Sequence, residues 1–211
     1  MPEPGPGIED WADFLPAAVR AVWPRLAHAV DGAGGALFGG TALAIHLRHR
    51  QSFDLDYLIP GPFDTAEVSA RLSAGGPIRI LRDEKGEGLH AVVEGVLVEV
   101  FRAPARGCNP GHVRTLARPT VVGGLRVASL PDLVASKLDV LLYRSKLRDY
   151  IDLAAIDGLD PYTLEDGLLF HIGRYGETPA HHVRCRPCSG MACCSTSVAT
   201  AKPPTGSNWL G

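Results

Sequence analysis

A chain of 211 residues with 45% apolar and 21% charged side chains can bury a substantial core, which excludes a wholly disordered polypeptide. Its net charge of −2 excludes a surface that is everywhere a trap for polyanions. No apolar run approaches the roughly 20 residues of a bilayer span, and Met1 to Asp10 lacks an export-signal pattern, so a cytoplasmic protein with no membrane partner is expected.

Residues 9–31 carry apolar side chains at helical spacing from Trp11 to Val30, and Pro16 and Pro24 are expected to split them into two short helices. Ala36 to Phe38 reads as a strand feeding the Gly39-Gly40 turn, and Thr41 to Leu47 as a helix that Thr41 caps. Ser52 to Ile59 reads as a strand ended by Pro60-Gly61-Pro62. Asp64 then caps a helix reaching Ser73. Ile78 to Leu81, Leu89 to Val93 and Val96 to Phe101 are strand candidates, the last two joined by the hairpin signal Glu94-Gly95. After an arginine-bearing loop at 103–118, Thr120 to Val122 and Leu125 to Val127 flank Gly123-Gly124 as a hairpin or bulge. The pattern then turns helical at Leu130 to Tyr143, Lys146 to Ile156 and Leu164 to Ile172. The expected fold is α/β (α+β): a small mixed sheet flanked by helices at 1–128, a helical portion at 129–175 and a tail at 176–211.

Asp54 and Asp56 stand at i and i+2, so a strand points both to one face, roughly 7 Å apart at the backbone. Phe53, Leu55, Tyr57 and Ile59 take the other face. Two repelling carboxylates that packing does not require suit a hard divalent cation, Mg²⁺ or Mn²⁺. Upstream, Gly39, Gly40 and Thr41 offer backbone N–H groups at a helix start, where phosphates bind. Ser52 either steadies the strand or meets a phosphate. Glu99 is the one polar residue of its strand; alone it reads equally well as a carboxylate paired with Arg79, Arg82 or Arg102. Beside Asp54 and Asp56 it reads better as the third carboxylate of a two-metal site. A phosphate cradle with metal carboxylates points to nucleotidyl transfer. Lys137, beside an apolar stripe, either snorkels to water or reaches a triphosphate. Arg148 and Asp152, at i and i+4, read as a solvated pair. His46, Arg48, His49 and Arg50 leave room for a local basic groove.

These motifs, Gly39-Gly40-Thr41-Ala42-Leu43, Arg50-x-Ser52-x-Asp54-x-Asp56, Val98-Glu99-Val100, Ser129 to Leu138 and Arg148-Asp149-Tyr150-x-Asp152-Leu153, resemble the AbiEii-type nucleotidyltransferases of the DNA polymerase β-like superfamily. The resemblance runs over about residues 36–157. It implies a nucleotidyltransferase core at 1–128, with Gly40 and Thr41 holding the phosphates of an NTP substrate and Asp54 and Asp56 binding metal. It further implies that Lys137 contacts nucleotide and that Asp149 and Asp152 form a fourth motif near the site, displacing the surface reading of Arg148 and Asp152. Family habit implies an RNA or protein hydroxyl as acceptor and a toxin paired with a cognate antitoxin. Glu99 departs from the aspartate more usual in the superfamily. A non-catalytic member that binds nucleotide or a partner is therefore the alternative reading, beside a nucleotidyltransferase for small molecules such as antibiotics.

Four of the five cysteines, Cys185, Cys188, Cys193 and Cys194, fall in the tail, leaving Cys108 in the body and no disulfide framework there. His181 with Cys185 and Cys188 has zinc-ligand residue types. No second ligand pair has regular spacing, and no acidic residue follows Glu177, so composition favours a disordered or non-native tail over a zinc knuckle.

Overall fold

The computed structural model describes residues 7–103, 114–142, 144, 146–158 and 162–176. Cys108, most of the arginine-bearing loop, and the tail with His181, Cys185, Cys188, Cys193 and Cys194 lie outside the described residues.

A 3-10 turn at Ile8–Trp11 leads into α1, Ala17–Ala29, which starts directly after Pro16. Pro16 therefore marks a boundary as expected, but Pro24 does not, because α1 runs through it. The ring of Pro24 is exposed, while Val22, Trp23 and Leu26 around it are fully buried and Trp23 Nε1 donates to the Val122 carbonyl at 3.0 Å. That anchorage outweighs the roughly 3 kcal/mol an interior proline costs.

The strands are β1 (Ala36–Phe38), β2 (Leu55–Ile59), β3 (Ile78–Glu84), β4 (Gly88–Val93), β5 (Val96–Arg102), β6 (Thr120–Val122) and β7 (Leu125–Val127). Among the described residues they form one mixed sheet in the order β3-β4-β5-β2-β1-β7-β6. The β2–β5 and β1–β7 pairs are parallel and the others antiparallel. Both expected tight turns are present: Glu94 and Gly95 have φ of 50° and 84°, Gly123 and Gly124 of 50° and 81°. Positive φ at both central residues is what a two-residue hairpin needs to match the twist of its strands.

Alternation along β2 and β5 makes two faces. Leu55, Tyr57, Ile59, Val96, Val98 and Val100 are buried on one, against which α1 and α3 (Thr65–Ser73) pack. Asp64 caps α3 by accepting from the N–H groups of Ala66 and Glu67. The other face carries Asp56, Leu58, Leu97, Glu99 and Phe101 and opens on a cleft. Its far side is built by α2 (Gly39–Leu47), α4 (Leu130–Leu141), α5 (Leu147–Asp157) and α6 (Leu164–Tyr175). No helix among the described residues is long and apolar enough to cross a membrane.

Candidate active site

The acidic residues meet because of strand register. β2 and β5 run parallel with Asp56 opposite Glu99, so both side chains leave the sheet on the cleft face and hydrogen-bond to each other. Asp54 lies one residue ahead of β2, not inside a strand beginning at Ser52. Residues 52–54 are held otherwise: the Ser52 N–H donates to the Phe14 carbonyl at 3.2 Å, and the Thr41 hydroxyl donates to the Asp54 carbonyl. Strand alternation therefore starts only at Leu55, and Phe53, expected on the apolar face, is 60% exposed.

The carboxyl of Asp56 is pushed up to about 7. Loss of surrounding water contributes most, followed by the hydrogen bond to Glu99 and the negative charges of Glu99 and Asp54; the Arg148 guanidinium opposes the rise. Near neutral pH the Asp56 carboxyl is therefore partly protonated where it meets Glu99. The second partner of Glu99 is His90, whose Nδ1 lies 2.7 Å from Oε1, and not one of the arginines suggested by the sequence. His90 sits directly opposite Glu99 across the β4–β5 pair. The two-residue Glu94-Gly95 turn sets this register, so the hairpin signal in the sequence is the mark that points to it.

Gly39 is required twice over. Its φ is +71°, and a Cβ there would lie 2.0 Å from Asp56 Oδ2. A Cβ on Gly40 would meet an Arg50 Nη at 2.5 Å and Ser52 Oγ at 3.1 Å. The glycine pair lets Asp56 and Arg50 lie against the first turn of α2, which opens on the cleft with no side-chain cap. Its first N–H groups lack intrahelical partners, as a phosphate site requires. Thr41 is not that cap. The helix starts two residues earlier than expected, and the fully buried Thr41 hydroxyl turns inward to Asp54 and, at 2.9 Å, to Ser52 Oγ. Buried Ser52 likewise steadies the chain, though it also borders the cleft.

Across the cleft, Lys137 neither snorkels to water nor stands alone. It is buried on α4, with Nζ 2.9 Å from Asp149 and 2.8 Å from Asp152. Asp152 also accepts from His49 at 2.7 Å and from Arg50 Nε at 2.6 Å. Burial would raise both aspartates. At Asp152 the hydrogen bonds from His49, Arg50 and Lys137 outweigh it and hold the carboxyl well below the usual range. At Asp149 the Lys137 bond and charge, Arg144 and the Lys146 N–H do the same. The solvated Arg148–Asp152 pair is absent; Arg148 reaches Asp54 Oδ2 instead, at 3.4 Å. Nor do His49 and Arg50 form an open basic groove: they are the inward tie to Asp152, while His46 bonds the Ala128 carbonyl. A further cleft residue the sequence did not suggest is Arg174 on α6, buried on Asp132 with its guanidinium 4.8 Å over the Phe38 ring.

The cleft between these walls has a volume of about 660 Å³ and is bordered by Gly39, Gly40, Asp54, Asp56, Glu99, Lys137 and Arg148. A family model described as Nucleotidyl transferase AbiEii toxin, Type IV TA system, matches residues 22–184. The chain belongs to the AbiEii nucleotidyltransferase family. Solved structures of similar fold include JHP933 from Helicobacter pylori, at 17% identity over 74% of this chain and 76% of that one, TM-score 0.49. The solution structure of the antibiotic-resistance factor ANT(2'')-Ia matches at 18% identity over 78% of this chain and 96% of that one, TM-score 0.48. The family assignment rests on the sequence match. A comparison with curated proteins finds no match.

Two expected outcomes follow from this AbiEii site. Asp152→Asn leaves Arg50 and Lys137 without their shared carboxylate and costs about 3–5 kcal/mol at pH 7, measurable by chemical denaturation. Because the folded carboxyl of Asp152 lies below its unfolded value, its contribution is complete above about pH 4 and fades as pH falls. The gap between wild type and variant therefore narrows in acid; a constant gap counts against the network. Gly39→Ala displaces Asp56 and lowers activity about 100-fold, with little change in the circular dichroism spectrum.

Proposed function

We propose that this nucleotidyltransferase moves a nucleoside monophosphate from an NTP to a hydroxyl of RNA or protein, assisted by Mg²⁺ or Mn²⁺, as the toxin of a toxin–antitoxin pair. The observation that carries the chemistry is the meeting of Asp54, Asp56 and Glu99 with the uncapped turn of α2 in one cleft. The donor set fits a hard cation. All three ligands are carboxylates, and although burial contributes most to the rise at Asp56, the hydrogen bond and negative charge of Glu99 and the charge of Asp54 add to it, a crowding of acids that a cation can relieve. Among the described residues no three candidate ligands are gathered closely enough to hold a metal ion as they stand.

Asp54, Asp56 and Glu99 would hold the metal, whose chemistry is to neutralise charge developing on the α-phosphate. The N–H groups of the Gly39-Gly40 turn bind phosphate oxygens and set the triphosphate in line with the acceptor. The acceptor oxygen then bonds the α-phosphorus, the bond to the β-phosphate oxygen breaks, and pyrophosphate leaves with that electron pair. Glu99, relieved of its hydrogen bond with Asp56, accepts the hydroxyl proton. Lys137 acts mainly by fixing Asp149 and Asp152, with its ammonium at the cleft wall adding positive charge near the phosphates.

The family's description as a toxin supports growth inhibition that a cognate antitoxin offsets. The second reading, a non-catalytic nucleotide binder, draws on Glu99 and on the lack of a ready-gathered ligand set.

Incubation with labelled NTPs and bulk RNA or protein should give metal-dependent label transfer that drops at least about 100-fold in Asp56→Ala. Transfer indifferent to that change would refute the proposal, and tight NTP binding without turnover on any acceptor would favour the second reading. Expression of the chain alone should slow growth and Asp54→Ala should relieve it; equal growth would remove the toxin role and leave the chemistry standing.

A further inference from the structure

We propose that Arg148 is an exchange residue: without nucleotide its guanidinium stands in for the cation at Asp54, and with metal and NTP it moves to the triphosphate. The inference deepens the nucleotidyl-transfer reading and rests on it.

Arg148 occupies the first turn of α5, just after the N-cap Lys146. A cation there opposes the helix dipole, so the helix gains nothing from it. The acid one turn along, Asp152, is already held by Arg50, His49 and Lys137. What Arg148 does meet is Asp54, through a contact of 3.4 Å between side chains 46% and 33% exposed. So long and wet a pair holds only weakly, and water or an ion replaces it readily.

Four other cleft cations are held elsewhere: Arg50, Lys137 and Arg174 are fixed on the buried carboxylates of Asp152, Asp149 and Asp132, and Arg102 bonds Glu87 at 2.6 Å. Arg144 is half-exposed like Arg148, but its long contact of 3.7 Å is to Asp149 and not to the acids of the site. A divalent cation on Asp54 and a guanidinium 3.4 Å from the same carboxylate repel each other, so loading the metal drives Arg148 off. Its anchor on α5 keeps it over the cleft, on the same lip as Arg144 and Lys146. There the added negative charge is the triphosphate, and a guanidinium fork suits phosphate oxygens.

The proposal requires two opposite effects from one substitution. In Arg148→Gln, Mn²⁺ alone, followed by loss of its free-ion EPR signal, should bind up to about fivefold tighter because its competitor is gone. The Mn²⁺ complexes of α,β-methylene ATP, CTP, GTP and UTP, tested in turn, should include one that wild type binds and that Arg148→Gln binds about tenfold more weakly. Arg148→Lys, which keeps the charge without the fork, should leave Mn²⁺ binding near wild type and recover only part of the nucleotide affinity. Unchanged or weaker Mn²⁺ binding in Arg148→Gln, or unchanged nucleotide binding, overturns the exchange role while wild-type binding keeps the nucleotidyl-transfer reading intact. Wild type that binds neither Mn²⁺ nor any analogue overturns both. A thermal melt of each variant confirms that this half-exposed residue has been changed without loss of fold.

Discussion

Everything in the cleft hangs on the buried charge cluster in which Lys137, Arg50 and His49 converge on Asp152, with Asp149 as the second acid of Lys137. Asp149 and Asp152 are entirely buried, a situation costing several kcal/mol per ion unless partners compensate. Here two fixed cations face two acids, and His49 adds a donor. The cluster joins three parts of the chain: the segment after α2, the middle of α4 and the first turns of α5. Arg50 lies two residues before Ser52 and four before Asp54, so fixing Arg50 also fixes the approach to the acidic strand. A network of this kind contributes less through net energy than through allowing one arrangement only.

Space is the second constraint. Asp56 can lie against α2 because Gly39 has no side chain, and Arg50 can cross to Asp152 because Gly40 has none. The N-cap of α2 is Phe38, which has no side-chain oxygen to offer, so the first turn stays uncapped where it opens on the cleft. The glycine pair thus seats a carboxylate beside backbone N–H groups that no cap occupies. Thr41 and Ser52 then close the inner side of that turn with their own hydrogen bond, which keeps the helix start and the acidic strand at a fixed separation.

The elements legible in the sequence were those with strong local signals. Both glycine hairpins and the Asp64 cap depend on short-range chemistry and are where the sequence places them. Pro24 misled because a local rule was outweighed by the burial of Trp23 and Leu26. Thr41 misled because cap and buried-donor roles use the same hydroxyl, and only the tertiary neighbours of Ser52 and Asp54 decide between them. The carboxylates of the site were legible as residue types, since acids on apolar strands need a reason. Their partners were not. Asp54 meets Arg148 across 94 positions, and Asp152 meets Arg50 across 102. Such pairs leave no periodic trace. Arg174 is placed by helix packing in the same way, whereas His90 lies nine positions from Glu99, opposite it in the register that the Glu94-Gly95 turn sets.

The protein treats its two sets of acids differently, and that contrast bears on function. Asp132, Asp149 and Asp152 are matched by buried cations at hydrogen-bond distance. Among the described residues, Asp54, Asp56 and Glu99 have only a long contact to a half-exposed arginine, the hydrogen bond between Asp56 and Glu99, and an imidazole. A fold able to neutralise three buried aspartates has the means to neutralise three more, so the imbalance is not a failure of supply. Fully matched acids rigidify a wall and exchange nothing, because removing a fixed partner costs several kcal/mol. Weakly matched acids at a cleft retain a field that draws mobile cations, and their present partners leave cheaply. The wall and the site are thus made from the same residue type, and the strength of compensation separates them. By that criterion the acids of β2 and β5 are the ones suited to the proposed chemistry, and the Lys137 cluster is the frame beside them.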